Sequence, residues 1–279
     1  MTDPHEAIEV ATLLDAAVEV ARIGGAVLRD RFKGPRSVEL KGGIDLVTDA
    51  DRASEAEIVA YLERRFPLHA ILAEEGSNVE GSAEYRWIVD PLDGTTNYAH
   101  RVPHFAVSIA VEDAEGLAAA AVYDPLRDEL FEAGRGAGAR LNGETLRVTK
   151  ESRLACALLG TGFPYSVWDK PDLPLRLFDA FVRRSRGIRR IGSAALDMCY
   201  VAAGRYDGFF EVRLKPWDIA AGTLLVREAG GTVTDLDGGQ VDLTAGNVIA
   251  TNGHLHQVIV EIARAVRSEL AATEPAQVT

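Results

Sequence analysis

Cysteine is nearly absent from this chain: 279 residues contain two, Cys156 and Cys199. They are too few for a disulfide framework and too far apart for a CxxC redox or zinc motif, so both read as small buried hydrophobes. No apolar run approaches the roughly 18 residues of a membrane span. The first residues, with Asp3, Glu6 and Glu9, lack the basic start of a secretory signal, and a cytoplasmic location is expected. No GxSxG elbow and no outstanding Cys–His pair offers a covalent nucleophile. Internal repeats are also lacking. Positive charge is scarce: 30 Lys and Arg against 42 Asp and Glu leave a net charge of −12. That balance disfavours non-specific binding to nucleic acid or an anionic membrane, so an anionic substrate must be attracted locally.

What is present is an ordinary globular composition, 47% hydrophobic and 26% charged, long enough for one large or two modest domains. Asp3-Pro4-His5-Glu6 resembles a helix start, and Ile8, Ala11, Val18, Ala21 and Leu28 supply an apolar stripe behind it. A second helix is predicted over 51–66 with Ala56, Val59 and Leu62 on one face and Pro67 as its stop. Strand-like runs follow at 70–73, 87–89, 105–111, 117–123 and 129–132, giving an antiparallel α+β half. From 154 onward strands at 154–159, 187–191 and 208–212 alternate with helices at 173–185, 194–203 and 218–229. Strands near 232–234 and 247–250 and a helix from about 255 complete an α/β half. The expected division is 1–150, an α+β domain, and 151–279, an α/β domain.

The most informative stretch is Trp87-Ile88-Val89-Asp90-Pro91-Leu92-Asp93-Gly94-Thr95-Thr96-Asn97. Two acids three residues apart stand where an apolar strand stops. Pro91 is expected to end the strand pairing and Gly94 to turn the backbone into a helix at Thr95. Two carboxylates held close raise each other's pKa. A hard divalent cation such as Mg2+, which takes oxygen ligands, removes that conflict. The Leu92 carbonyl between the acids is a further candidate ligand, and the amides of Gly94 and Thr95 suit a phosphate. A plain Asp-Pro and Asp-Gly turn is the competing explanation.

Further acids share this setting: Asp51 after Asp45-Leu46-Val47-Thr48-Asp49-Ala50, Glu74 and Glu75 after an apolar run, and Asp218 in Trp217-Asp218-Ile219-Ala220-Ala221-Gly222. Each alone reads as a helix cap or a solvated loop. Together, and in this order, the segments resemble the inositol monophosphatase family of magnesium-dependent, lithium-sensitive phosphatases. The resemblance covers about residues 10 to 260 and implies a layered αβαβα sugar-phosphatase fold, usually in a homodimer. It implies that Glu74, Asp90 and the Leu92 carbonyl hold one Mg2+, that Asp90, Asp93 and Asp218 hold a second, and that Glu74 helps with a weaker third. It further implies that Gly94 and Thr95 bind phosphate, and that Asp51, Thr95 and Glu74 position and deprotonate a metal-activated water. Lys41 lies near the metal-binding loop, with a spacing to Asp45 one residue shorter than the family's pattern. Substrate contacts fall to Asp93, Asp218, Ser193, Ala194 and Glu211. Glu211 favours myo-inositol monophosphate over histidinol phosphate or adenosine bisphosphate and leaves fructose 1,6-bisphosphate open.

Other features have simpler readings. Asp235-Leu236-Asp237-Gly238 is similar to an aspartyl-phosphate loop but lies too near the C-terminus, and reads as a hairpin turn. Gly134-Arg135-Gly136-Ala137-Gly138 lacks the spacing of a phosphate cradle. His254 and His256 form only a lone HxH. Arg183, Arg184, Arg186, Arg189 and Arg190 make a basic cluster in an acidic protein, which is a solvated helix end, a dimer contact, or a dock for RNA or a protein partner.

Overall fold

Two apolar runs, Ala106–Asp113 and Gly116–Asp124, are buried on both faces and form the middle of the first sheet. Successive side chains of a strand point to opposite faces. Val107, Ile109, Val111, Ala119 and Ala121 therefore enter one core while Ala106, Ala110, Ala120 and Val122 enter another. The computed structural model describes residues 9–34, 37–42 and 45–273. In chain order the elements are α1 (Val10–Arg31), β1 (Val38–Gly42), β2 (Asp45–Thr48), α2 (Asp49–Arg65), β3 (His69–Ala73), β4 (Ser82–Asp93) and α3 (Thr95–Ala99). Next come β5 (Ala106–Asp113), β6 (Gly116–Asp124), β7 (Glu129–Gly134), β8 (Gly138–Leu141), β9 (Glu144–Thr145), β10 (Leu158–Thr161), α4 (Asp172–Val182) and β11 (Gly187–Arg189). The chain continues with α5 (Ala194–Ala202), β12 (Gly208–Glu211), α6 (Pro216–Glu228), β13 (Thr232–Thr234), β14 (Val248–Thr251) and α7 (His256–Thr273).

β3 to β9 lie side by side in sequence order in a seven-stranded sheet, and a five-stranded sheet has the order β11-β10-β12-β14-β13. α1 and α2 cover the outer face of the first sheet. α5 and α6 are sandwiched between the sheets in one shared core that includes Ile88, Phe131, Met198, Leu225, Phe209 and Val248. α4 and α7 cover the far face of the second sheet, where Phe181 and Ile259 meet Phe210 and Ile249. The result is the five-layer αβαβα arrangement.

Several local expectations are corrected. The helix start at Asp3–Glu6 lies outside the described residues. The buried stripe of α1 is Leu13, Ala16, Ala17, Val20, Ala21, Gly24, Gly25 and Leu28, with Ala11 exposed. The two glycines let neighbours close in: a Cβ on Gly24 would lie 2.8 Å from Ile58 and one on Gly25 2.4 Å from Tyr123. In α2 the buried face includes Asp51, Ser54 and Glu55 beside Ile58, Val59 and Leu62, while Ala56 is exposed. Apolar periodicity cannot find a face whose polar members are paired within the fold. Pairing of β3 with β4 is parallel, unlike the other pairs of its sheet. Residues 154–156 form a 3-10 turn and the strand begins at Leu158, whose amide donates to Asp207.

Candidate active site

β3 and β4 run parallel and deliver Glu74 and Asp90 to the same end of the first sheet. Their opposite ends are tied where Trp87 Nε1 donates to Nδ1 of His69 at 3.0 Å, and burial lowers the His69 pKa to about 4, so the ring stays neutral. Pro91 does not end β4. Asp90 pairs with Ser108 and Asp93 with Ala106, three residues advancing against two. Proline cannot donate to the ladder, so the strand bulges there and pairing resumes at Asp93. The bulge is braced by the Leu92 amide, which donates to Asp90 at 2.9 Å. Gly94 then turns the chain at φ 97°, and a Cβ there would come within 3.1 Å of the His104 carbonyl.

Across the shared core, α5 and α6 bring the second half of the chain to this corner. Asp93 accepts hydrogen bonds from Ser193 Oγ at 2.5 Å and from the Ala195 amide at 2.8 Å, which locks β4 to the N-terminal end of α5. Asp218 caps α6 by accepting from the Lys215 amide at 2.7 Å. The carboxylates of Asp90, Asp93 and Asp218 each place an oxygen within 4.8 Å of the others. Burial, then the charges of Glu74, Asp93 and Asp218, push the Asp90 carboxyl well above its usual range. Asp93 is raised to about 6 by burial against the opposing hydrogen bond of Ser193. Asp218 is raised by burial and then by Asp93. An all-oxygen cluster that destabilises its own ionised form fits a hard divalent cation, which offsets that charge.

The cluster forms one wall of a cavity of about 480 Å³ that also reaches Glu74, Leu92, Gly94, Thr95, Ser193, Ala194 and Glu211. Asp51 stands behind this wall, fully buried. It accepts from the Thr48 amide and hydroxyl at 2.9 and 2.5 Å, and the Thr95 hydroxyl lies 3.0 Å from it. The same hydroxyl is 3.0 Å from the Leu92 carbonyl. Asp51 therefore reaches the cavity through Thr95, and burial raises its pKa to about 6. Glu74 is held by its loop: buried Glu55 accepts from the amides of Glu75 and Ser77 at 2.8 and 3.0 Å. Glu211 closes the far side. Burial lifts it to about 8 against the opposing charge of Arg190, and Gly162 makes room for it, since a Cβ there would lie 2.2 Å from the carboxyl. Lys41 belongs to β1, and its side chain lies outside the described residues.

Asp197, Arg190, Gly162 and Arg213 also line the cavity and went unassigned from the sequence. Asp197 carried a signal, as an acid inside the otherwise apolar Ala194–Ala202. The other motifs resolve as scaffold. The amides of Gly136 and Gly138 do hold an anion, but it is the carboxylate of Glu228, at 2.8 and 2.9 Å. Asp235 accepts from the amides of Asp237 and Gly239 in a turn. His256 is held between the hydroxyls of Thr234 and Thr251, each at 3.0 Å.

Residues 9–268 match the model of the inositol monophosphatase family. The chain belongs to the inositol monophosphatase family. Among its relatives, Nus factor SuhB of Pseudomonas aeruginosa is 49% identical over 247 residues, 86% of this chain and 91% of that protein. The crystal structure of extragenic suppressor protein suhB from Bartonella henselae superposes with a TM-score of 0.85 at 41% identity, covering 92% of this chain and 98% of that one. Inositol monophosphatase from Anabaena gives a TM-score of 0.82 at 40% identity, covering 93% and 96%. The family is one of phosphatases, and membership supports phosphatase activity on a phosphorylated small molecule. Among the described residues no helix is long and apolar enough to cross a membrane.

Proposed function

We propose that this inositol monophosphatase family member is a Mg2+-dependent phosphomonoesterase that hydrolyses myo-inositol monophosphate to inositol and phosphate by direct attack of water. The observation that carries the proposal is the convergence of Asp90, Asp93 and Asp218 within 4.8 Å. Glu74, Asp90, the Leu92 carbonyl, Asp93 and Asp218 would hold two to three Mg2+ ions. When bound, Mg2+ acidifies water and offsets the charge that builds on the attacking and leaving oxygens. Gly94 and Thr95 offer backbone amides to the phosphate. The Thr95 hydroxyl orients the water and passes its proton to Asp51, with Glu74 beside them. Ser193, Ala194 and Glu211 face the leaving alcohol, and Glu211, protonated at neutral pH by its raised pKa, can donate a hydrogen bond as well as accept one. A cytoplasmic homodimer sensitive to Li+, with a functional division near residue 150, belongs to the same reading.

Replacing Asp93 by asparagine tests the core of the proposal. Phosphate release from inositol 1-phosphate should fall at least about a hundredfold, and Mg2+ should no longer raise the melting temperature. Mg2+-dependent turnover that survives the substitution overturns the metal assignment. Fructose 1,6-bisphosphate and histidinol phosphate belong in the same assay, because preference for either replaces the substrate while leaving the site chemistry in place.

A second reading draws on the exposed Arg183, Arg184, Arg186, Arg189 and Arg190 and on relatives named Nus factor: a surface that docks RNA or protein. Asp179 pairs with Arg183 at 2.7 Å, which reduces the free charge. RNA binding that weakens steeply with salt would support this reading.

A further inference from the structure

Helix α5 is buried along its whole length, and its only carboxylic acid is Asp197, which is 1% exposed. Its Oδ1 is buried with no hydrogen-bond partner. An unpaired carboxyl oxygen in the interior is costly, and it persists where something else offsets the cost. Asp197 also lines the cavity of the candidate active site, together with Glu211 and Arg190. Burial, then the charges of Glu211 and Asp93, push its carboxyl well above the usual range, against the charge of Arg190. Gly162 keeps the space beside Glu211 open, since any side chain there would collide with the carboxyl. Two buried carboxyl groups on neighbouring elements, α5 and the end of β12, thus line the same cavity as the three-aspartate cluster.

Resting on the phosphomonoesterase reading, we propose that Asp197 is a specificity-determining residue that accepts hydrogen bonds, beside Glu211, from the hydroxyl groups of the leaving alcohol. A wall lined by two carboxyl groups rewards a ligand whose hydroxyls both donate and accept, and a leaving group without hydroxyls would leave Asp197 unpaired. Arg190 reaches both carboxyls with its charge. The signature is a change in selectivity between esters sharing the same phosphate.

The test uses the full chain with Mg2+, as wild type and as Asp197→Asn and Asp197→Ala, on inositol 1-phosphate, glycerol 2-phosphate and phenyl phosphate. Loss of the hydrogen bond in the alanine variant, which leaves the ligand hydroxyl unpaired in a buried site, should lower kcat/KM for the two hydroxylated esters roughly ten- to a hundredfold, mainly through KM, while the asparagine variant, which keeps an acceptor oxygen, should lose less. Phenyl phosphate turnover should change less than about threefold, because its leaving group brings no aliphatic hydroxyl. The asparagine variant should melt no lower than wild type, having lost an unpaired buried carboxyl. Equal losses on all three esters, no loss on any, or a large drop in the melting temperature of the asparagine variant would each overturn the proposal. Wild-type enzyme inactive on all three esters would remove the phosphatase reading itself, a failure seen before any variant is compared.

Discussion

Replacing Asp51 by asparagine separates two contributions of one buried acid, to stability and to proton transfer. Asp51 is held at about 6 rather than 3.8 by burial, despite accepting from Thr48 and Thr95. Between those two values the folded protein binds more protons at this site than the unfolded chain. Its contribution to stability is therefore fully present below pH 3.8 and is lost as pH rises toward 6. The loss across the interval is roughly 3 kcal/mol. Asparagine does not titrate, so the wild-type minus variant difference in unfolding free energy should fall by about that amount from pH 4 to pH 7. Urea unfolding of both proteins with a chelator present measures it, and the neighbouring acids largely cancel in the subtraction. The absolute difference at any one pH also includes the Thr48 amide facing a side-chain NH2, a cost of about 1–3 kcal/mol, so the pH dependence is the clean observable. With Mg2+, the variant should lose roughly 10²- to 10⁴-fold in kcat, the usual contribution of a positioned base. A flat stability difference would refute the burial argument, and activity retained within about tenfold would refute the Thr95–Asp51 proton path.

Two further outcomes follow from other parts of the site. Gly162→Ala should displace Glu211, whose carboxyl would lie 2.2 Å from the new Cβ. It should cost about 1–3 kcal/mol in unfolding free energy and raise KM for inositol 1-phosphate more than for phenyl phosphate; an unchanged KM ratio would count against Glu211 as a substrate contact. Mg2+ at about 100 times its Kd should stabilise the wild-type fold by roughly 2.7 kcal/mol, a rise of several degrees in melting temperature. The Asp218→Asn variant should lose most of that rise, and a full response in the variant would place the ion elsewhere.

Much of the architecture was legible locally, because both sheets have strands buried on both faces and such strands read as unbroken apolar runs. Ala106–Asp113 and Gly116–Asp124 announced themselves in this way. Polar elements did not: the β1–β2 hairpin carries exposed Val38 and Leu40, and α2 buries acids that look solvated in the sequence. The start of β10 is hidden in the sequence because Leu154 and Cys156 continue its apolar pattern, while the backbone turns before Ala157 donates back to the Leu154 carbonyl at 3.0 Å. Pro91 was expected to stop a strand, and the ladder instead skips past it, since one missing donor in a bulge costs less than abandoning the pairing of Asp93 with Ala106.

The candidate site divides along similar lines. Asp90, Leu92, Asp93, Gly94 and Thr95 are close in sequence, so strand, bulge and turn geometry alone brings them together. Their spacing made an acidic corner readable without coordinates. Asp51 and Asp218 could be given roles only through resemblance, as no local rule links Asp51 to Thr95, 44 positions away, or Asp218 to Asp93 across more than a hundred positions. Tertiary packing decided that Asp51 stands behind Thr95, that Asp218 closes the three-carboxylate cluster from α6, and that the Oδ1 of Asp197 is buried without a hydrogen-bond partner. Those features depend on helices α5 and α6 being clamped between two sheets, a long-range burial that no short stretch of the chain encodes.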